Sequence, residues 1–333
     1  MESIPRYTEI DIAKGLAIIL VVYGHLTQGY IPDDHNWYRV SQQILYSFHM
    51  PLFMFLSGFV YNILATRNLK KIGWVNFSKR VLWRMLPGWL AVGVVIITLK
   101  ILLGSELNVN NQVNFSFTSY LEIFYIPGNS GARSLWYVHT LVILYCIFSA
   151  VEYCWPDSKK WRLYIAFPIS LAAVFFIISS IIALDRVMFY SVFFALGALA
   201  FENWNKVQKI CKSYFLLWSI LFVGLFFINF ENWYATKYVR GLFSIPFIIG
   251  LVSFLGGRIA AFFTYIGSYT YTIYLFNTLA IGLMITLFRK IGYFDGKGFY
   301  IYGLLTLAIG SIGCILGHQI LNKLSPKLAK YFK

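Results

Sequence analysis

Apolar runs of about 20 residues recur along the whole chain and are separated by short polar loops. A helix of this length rises about 1.5 Å per residue and crosses the roughly 30 Å of hydrocarbon in a bilayer. The pattern predicts an all-α, polytopic membrane protein that forms one domain over residues 1–333. We expect about ten spans, near 10–31, 42–66, 84–104, 134–152, 163–184, 187–204, 214–230, 239–257, 260–288 and 299–322.

Composition supports a membrane location and argues against a soluble protein. Only 12% of the residues are charged, whereas a typical soluble domain has about 25%. The net charge of +15 does not indicate a nucleic-acid partner, because the basic residues cluster in short loops between apolar runs. We expect this charge to encode orientation, and to attract anionic membrane lipid or an anionic cofactor.

The basic loops predict which side of the membrane faces the cytoplasm. With ten spans, four basic segments fall on one side, and the positive-inside rule makes that side cytoplasmic. Both termini are then expected in the cytoplasm, in the inner membrane of a bacterium. The loop after the ninth span, at 289–298, is a basic exception. The four basic segments contain Arg67, Lys70, Lys71, Lys79, Arg80 and Arg84; Lys159, Lys160 and Arg162; Lys206, Lys209 and Lys212; and Lys323, Lys327, Lys330 and Lys333.

The first span carries ionisable side chains at helical spacing. Eleven residues separate Lys14 from His25, which is about 1100° of helical rotation, so the two share a face, with Asp11 one turn earlier. Lys14 and His25 are then about 16 Å apart along the axis. Ionisable groups inside spans usually face a cavity or pathway. The alternatives are interfacial positions for Asp11 and Lys14 and a structural histidine at position 25.

Three other spans place a polar side chain at the depth of His25 in the outer half of the membrane: His49, His139 and Asn277. Equal depth predicts a shared polar pocket. A zinc site formed by the three histidines is an alternative, but they lie on separate spans without local ligand spacing. We therefore expect no metal.

Several neighbours of these residues shape the predicted pocket. Pro51 is expected to bend the second span, and the Ser57–Gly58 pair is expected to let another helix or a ligand approach closely. Three aromatic residues are candidate sugar-stacking surfaces, although most aromatic residues in a chain of this composition simply pack. The three are Trp136, Tyr137 and Tyr274.

Five stretches of the sequence together resemble the membrane-bound acyltransferase family 3, especially its fucose 4-O-acetylase-like members. They are DIAKGLAIILVVYGH (11–25), SFHMPLFMFLSGFVY (47–61), KRVLWRMLPGW (79–89), SLWYVHTLVILY (134–145) and IGSYTYTIYLFN (266–277). Their order and spacing also fit, so the resemblance covers nearly the whole chain. Two positions depart from the family pattern: Lys14 stands where Arg is common, and Asn277 where many members have His.

The resemblance implies an enzyme that takes an acyl group, commonly acetyl, from cytoplasmic acyl-CoA. The acceptor would be a hydroxyl of an extracytoplasmic glycan or lipid-linked sugar. Lys14, Arg80 and Arg84 are then candidates for the CoA phosphates, with Ser57 beside the thin pantetheine arm. For the two arginines, ordinary positive-inside topology is an equally good explanation.

His25 is the candidate general base of this reaction, because a neutral imidazole, with a reference pKa of about 6.5, accepts a proton at physiological pH. A covalent acyl-histidine is an alternative. Asp11 is expected to pair with Lys14. The set formed by His49, Trp136, His139 and Asn277 is expected to stabilise the oxyanion or orient the acceptor. The rival function is a proton-coupled secondary transporter that uses the same intramembrane groups.

Overall fold

The computed structural model describes residues 7–29, 31–103, 113–228 and 230–333, and within these ranges it contains helices and no strand. The all-α fold class is therefore confirmed for this part of the chain. The helices are α1 (Thr8–His25), α2 (Asn36–Tyr46), α3 (His49–Leu103), α4 (Phe117–Tyr125), α5 (Trp136–Cys154), α6 (Ser158–Phe175), α7 (Leu184–Glu202), α8 (Trp204–Ser213), α9 (Phe215–Gly224), α10 (Trp233–Val252), α11 (Gly257–Gly267), α12 (Thr270–Lys290), α13 (Gly298–Ala308), α14 (Cys314–Leu324) and α15 (Pro326–Ala329).

Six helical stretches of the described residues are long and apolar enough to cross a membrane. The first, Asp33–Leu103, contains two apolar halves on either side of Gly73, whose φ of 74° interrupts α3. Two shorter apolar helices accompany the six, at Trp161–Phe175 and Phe215–Gly224. The protein is thus a membrane protein, while the count of about ten spans and the location of the termini stay predictions. The six are Asp33–Leu103, Arg133–Cys154, Ile181–Glu202, Trp233–Val252, Thr270–Lys290 and Gly298–Leu324.

Two predicted spans have different boundaries in the structure. The second breaks at residues 47 and 48, so Pro51 falls in the first turn of α3 and not in mid-helix. The break falls at Ser47, whose carbonyl a continuous helix would bond to the N–H that Pro51 lacks, so the predicted disruption of this helix by Pro51 is present as a break. The ninth predicted span is divided at residues 268 and 269 into α11 and α12.

Close glycine contacts set the position of α1 and α3. A Cβ atom on Gly15 would lie 1.9 Å from the carbonyl oxygen of Phe263, so α1 and α11 touch through their backbones. A Cβ on Gly58 would lie 1.9 Å from the carbonyl oxygen of Phe194 in α7. The close approach predicted at Ser57–Gly58 is therefore present, and Ser57 is held beside this helix contact.

A buried ionic cluster joins the ends of α5, α6 and α7. The Arg162 guanidinium lies 3.2 Å from a carboxylate oxygen of Glu152 and 2.9 Å from one of Glu202. Arg162 and Glu152 are 6% and 5% exposed. Arg162 and Glu152 need each other, because an unpaired charge in a buried position is strongly destabilising, whereas Glu202 is exposed.

Candidate functional site

The last turn of α1 is held by side chains of α2. The Tyr38 hydroxyl donates to the carbonyl oxygen of Tyr23, and the Tyr46 hydroxyl donates to that of Gly24, each at 2.6 Å. The last four carbonyls of a helix have no partner within the helix, so these bonds satisfy groups that water cannot reach in a membrane. They also fix the backbone from which His25 projects.

His25 is half-buried, and its ring is oriented by a single amide. Its Nδ1 lies 3.2 Å from Oδ1 of Asn277. The Asn277 amide nitrogen donates to the carbonyl oxygens of Ile273 and Tyr274, both at 2.8 Å. The amide oxygen therefore faces His25 and accepts a hydrogen bond from Nδ1–H. In a neutral ring this leaves Nε2 unprotonated, with its lone pair available to accept a proton.

His49 lies near His25 but is fully engaged with the end of α2. It is 4% exposed, and its Nδ1–H donates to the carbonyl oxygen of Leu45 at 2.7 Å. Its ring centroid is 5.3 Å from that of Tyr46. Tyr46, whose ring packs against His49, also donates to the carbonyl oxygen of Gly24, the residue before His25. The predicted proximity of these two histidines is thus present in the structure.

His139 lies elsewhere in the bundle. Its ring packs on Trp89, with centroids 5.9 Å apart, and Trp89 in turn donates to the carbonyl oxygen of Leu135 at 2.9 Å. Depth along a span did not determine which way this side chain faces. Among the described residues, no group of three His, Cys, Asp or Glu side chains is arranged to hold a metal ion.

A cavity of about 230 Å³ opens between α1, α3, α5, α12 and the C-terminal residues. Three cations line it: Lys14, Arg84 and Lys333. As the spacing predicted, Lys14 pairs with Asp11, at 3.1 Å. Arg80 is exposed and is not among the lining residues. The cavity wall also contains Ser57, Tyr137, Tyr145, Thr270, Tyr271 and Tyr274.

Hydroxyl groups form a hydrogen-bonded cluster on the cavity wall. Ser57 Oγ lies 2.5 Å from the Tyr137 hydroxyl. The Tyr274 hydroxyl donates to the carbonyl oxygen of Ser134 at 2.7 Å and accepts from the backbone N–H of Tyr137 at 3.2 Å. Tyr274 precedes Asn277 by three residues, which is about 4.5 Å of helix rise. This part of the cavity is therefore about one helical turn from the His25–Asn277 pair.

Trp136 lies outside that cavity wall. It is half-buried, its ring stacks on Tyr190 with centroids 5.4 Å apart, and the Arg186 guanidinium lies 4.6 Å above it. Of the three predicted sugar-stacking residues, Tyr137 and Tyr274 line the cavity and Trp136 does not.

The C-terminal residues contribute to the cavity, although no pattern in the sequence indicates it. Phe332 is buried, and its carbonyl oxygen accepts a hydrogen bond from the Thr272 hydroxyl. The carbonyl oxygen of Ala329 lies 3.1 Å from Nε2 of His318. These contacts place Lys333 beside the cavity. Its charge had been assigned to topology with the rest of the basic tail, and no local motif distinguished it.

Comparison with known proteins identifies the family. A family model described as an acyltransferase domain, that of the acyltransferase 3 family, matches residues 7–321. The chain belongs to this family. The match contains Lys14, His25, Ser57, Tyr137 and Asn277, so most of the candidate site lies inside the family domain. The predicted family membership is confirmed.

Two curated relatives are similar over shorter stretches of this acyltransferase 3 family member. Nodulation protein NolL of Sinorhizobium fredii is 43% identical over 72 residues, which cover 20% of each chain. Nodulation protein NolL of Mesorhizobium japonicum is 32% identical over 117 residues, covering 32% of this chain and 31% of the relative. The chain thus spans about a fifth to a third of the length of these relatives.

Proposed function

We propose that this chain is an integral-membrane O-acyltransferase that moves an acetyl group from cytoplasmic acetyl-CoA to a hydroxyl of an extracytoplasmic glycan or lipid-linked sugar. One observation carries the proposal. The His25–Asn277 pair stands about one helical turn from a cavity whose wall bears three cations. A base and a separate anion-binding region are what transfer from a CoA thioester requires.

The donor would bind with its phosphates near Lys14, Arg84 and Lys333. Cations that converge on one opening suit the charged end of CoA, and Arg adds bidentate contacts to phosphate. Lys14 lies about 16 Å along α1 from His25, which separates the charged end of the donor from its thioester. Asp11 orients Lys14 through their ion pair.

His25 would act as the general base. Its Nε2 takes the proton of the acceptor hydroxyl as that oxygen attacks the thioester carbonyl carbon. A carbon–oxygen bond forms, the carbon–sulfur bond breaks, and the CoA thiolate leaves and takes the proton from the imidazolium. Asn277 accepts from Nδ1–H throughout and stabilises the imidazolium.

Other groups would support the step. The Ser57 and Tyr137 hydroxyls are donors on the cavity wall and suit the developing oxyanion or the pantetheine amides. His49 would position the end of α2 against His25. His139, which packs on Trp89, takes no part in the step that we propose.

The direct test uses purified protein and acetyl-CoA labelled in the acetyl group. We expect release of free CoA thiol together with transfer of label to a cell-envelope glycan fraction, and loss of both in His25→Ala. Absence of donor turnover in the wild type would contradict the proposal. Proton-coupled flux of a solute in proteoliposomes, without CoA chemistry, would support the transporter instead.

A further inference from the structure

Three cationic side chains lie outside the donor cavity, on elements that pack against the helices bearing His49 and Asn277. Arg133 begins the short 3-10 turn before α5, Arg186 lies in the first turn of α7, and Lys237 lies early in α10. In the predicted topology these three residues lie on the extracytoplasmic side. The positive-inside rule does not account for basic residues on that side. Another explanation is needed for them.

Arg186 is packed in a fixed place without a polar partner for one of its nitrogens. Its guanidinium lies 4.6 Å above the Trp136 ring. A Cβ atom on Gly128 would lie 1.9 Å from a terminal guanidinium nitrogen, so the backbone at this glycine fits closely around the cation. Nη1 is buried and makes no hydrogen bond. Nη1 of Arg186 is therefore positioned to donate a hydrogen bond to a bound ligand.

Lys237 lies on the helix that packs beside His49. A Cβ atom on Gly241, one turn after Lys237, would lie 2.5 Å from the Cβ of Pro51, which is two residues after His49. Lys237 Nζ lies 5.3 Å above the ring of Trp233. The ion pairs found among the described residues include none of the three cations. Within the described ranges, therefore, none of the three cations is neutralised by an ion pair with a carboxylate.

The turn that bears Arg133 contacts the helix that orients the candidate base. Ser134 Oγ lies 3.3 Å from the Thr278 hydroxyl oxygen. Ser134 directly follows Arg133, and Thr278 directly follows Asn277. An anion bound at the start of α5 would thus lie next to the His25–Asn277 pair.

We propose that Arg133, Arg186 and Lys237 bind an acceptor sugar that carries an anionic group, a carboxylate or a phosphate, close to the hydroxyl that reacts. Arg186 and Lys237 are partly buried, whereas Arg133 is exposed. A partly buried cation without a carboxylate partner loses hydration, and an anionic ligand offsets that loss. Charge-assisted bonds to Arg are also geometrically specific for carboxylate and phosphate. The proposal rests on the proposed role of His25, because it makes this surface the acceptor side.

The test measures binding to the whole protein in phosphatidylcholine nanodiscs. The carboxylate arm compares a hyaluronan tetrasaccharide with neutral chitotetraose, and the phosphate arm compares glucose 1-phosphate with glucose. We expect the anionic member of at least one pair to bind at least tenfold more tightly at low salt, with the difference shrinking at high salt. Arg186→Gln and Lys237→Gln should each weaken that binding at least fivefold. Arg39→Gln, which removes an exposed cation of α2, should leave it unchanged.

If the wild-type protein binds the charged and the neutral member of each pair with equal affinity, the proposal is overturned, whatever the variants show. Anionic binding that is unaffected by Arg186→Gln and Lys237→Gln would also overturn it. Arg186-dependent binding of phosphatidylglycerol, with neither saccharide nor sugar phosphate bound, would identify a lipid headgroup site instead. Acetyl-CoA binding is measured in parallel: if the wild type fails to bind it, the proposed function is wrong while the anion result stands.

Discussion

Replacing Asn277 by leucine isolates the contribution of the amide that orients His25. Asn277 is 1% exposed, and its Oδ1 lies 3.2 Å from Nδ1 of His25. A hydrogen bond to a neutral group contributes about 0.5–1.5 kcal/mol and one to a charged group about 1.5–3 kcal/mol. If His25 becomes an imidazolium in the transition state, its hydrogen bond to Asn277 strengthens by the difference between these two contributions, about 1–1.5 kcal/mol. The variant loses this amount of transition-state stabilisation. At 1.36 kcal/mol per decade, kcat should fall about 5- to 13-fold.

The assay is the initial rate of CoA thiol release by purified protein, with monodisperse gel filtration as the check on folding. The KM for acetyl-CoA should stay unchanged, because Asn277 does not line the donor cavity. Asn277→His should retain more activity, since an imidazole nitrogen also accepts from Nδ1–H. Asn62→Leu is the matched control, because Asn62 is buried and donates to Ala198 at 2.9 Å outside the site. A folded Asn277→Leu variant with kcat within twofold of wild type would refute the reasoning.

Three further predictions concern the donor opening and the helix contacts. Lys14→Ala and Lys333→Ala should each raise the KM for acetyl-CoA about 3- to 10-fold with kcat nearly constant, as expected for a partly exposed charge contact; an unchanged KM would remove that lysine from the donor site. Gly58→Ala should lower the apparent Tm by several degrees, because its Cβ would lie 1.9 Å from the Phe194 carbonyl oxygen, and thermal unfolding in detergent measures this. Arg162→Met should destabilise the protein by about 3 kcal/mol, since the buried carboxylate of Glu152 loses its partner; an unchanged unfolding curve would show that this ion pair is dispensable.

Contacts within the site can be predicted from the sequence where helical spacing alone decides the geometry. The pairing of Lys14 with Asp11 follows from three residues of helix, and it is present in the structure. The contact between His25 and Asn277 agrees with the similar depth predicted for them in two spans. It forms because both side chains also face the interior of the bundle. Helix geometry and span order were sufficient for these predictions.

Depth alone does not determine the direction of a side chain around its helix. His139 is predicted at the same depth as His25, yet it packs on Trp89. Arg80 and Arg84 are one turn apart and share a basic motif, but only Arg84 lines the cavity. Lys333 lines it because the residues after α14 fold back against α12. Tertiary packing decides such positions, and no local pattern in the chain records it.

The most direct test of the account is donor turnover by His25→Gln compared with His35→Gln. His35 Nε2 lies 2.9 Å from the carbonyl oxygen of Gly296, and a glutamine amide can still donate there, so this control should keep its rate. His25→Gln retains a polar side chain but lacks a basic nitrogen, and it should lose at least about 100-fold in kcat, in line with the contribution of a general base. Turnover of folded His25→Gln within a few-fold of wild type would contradict the assignment of His25 as the base.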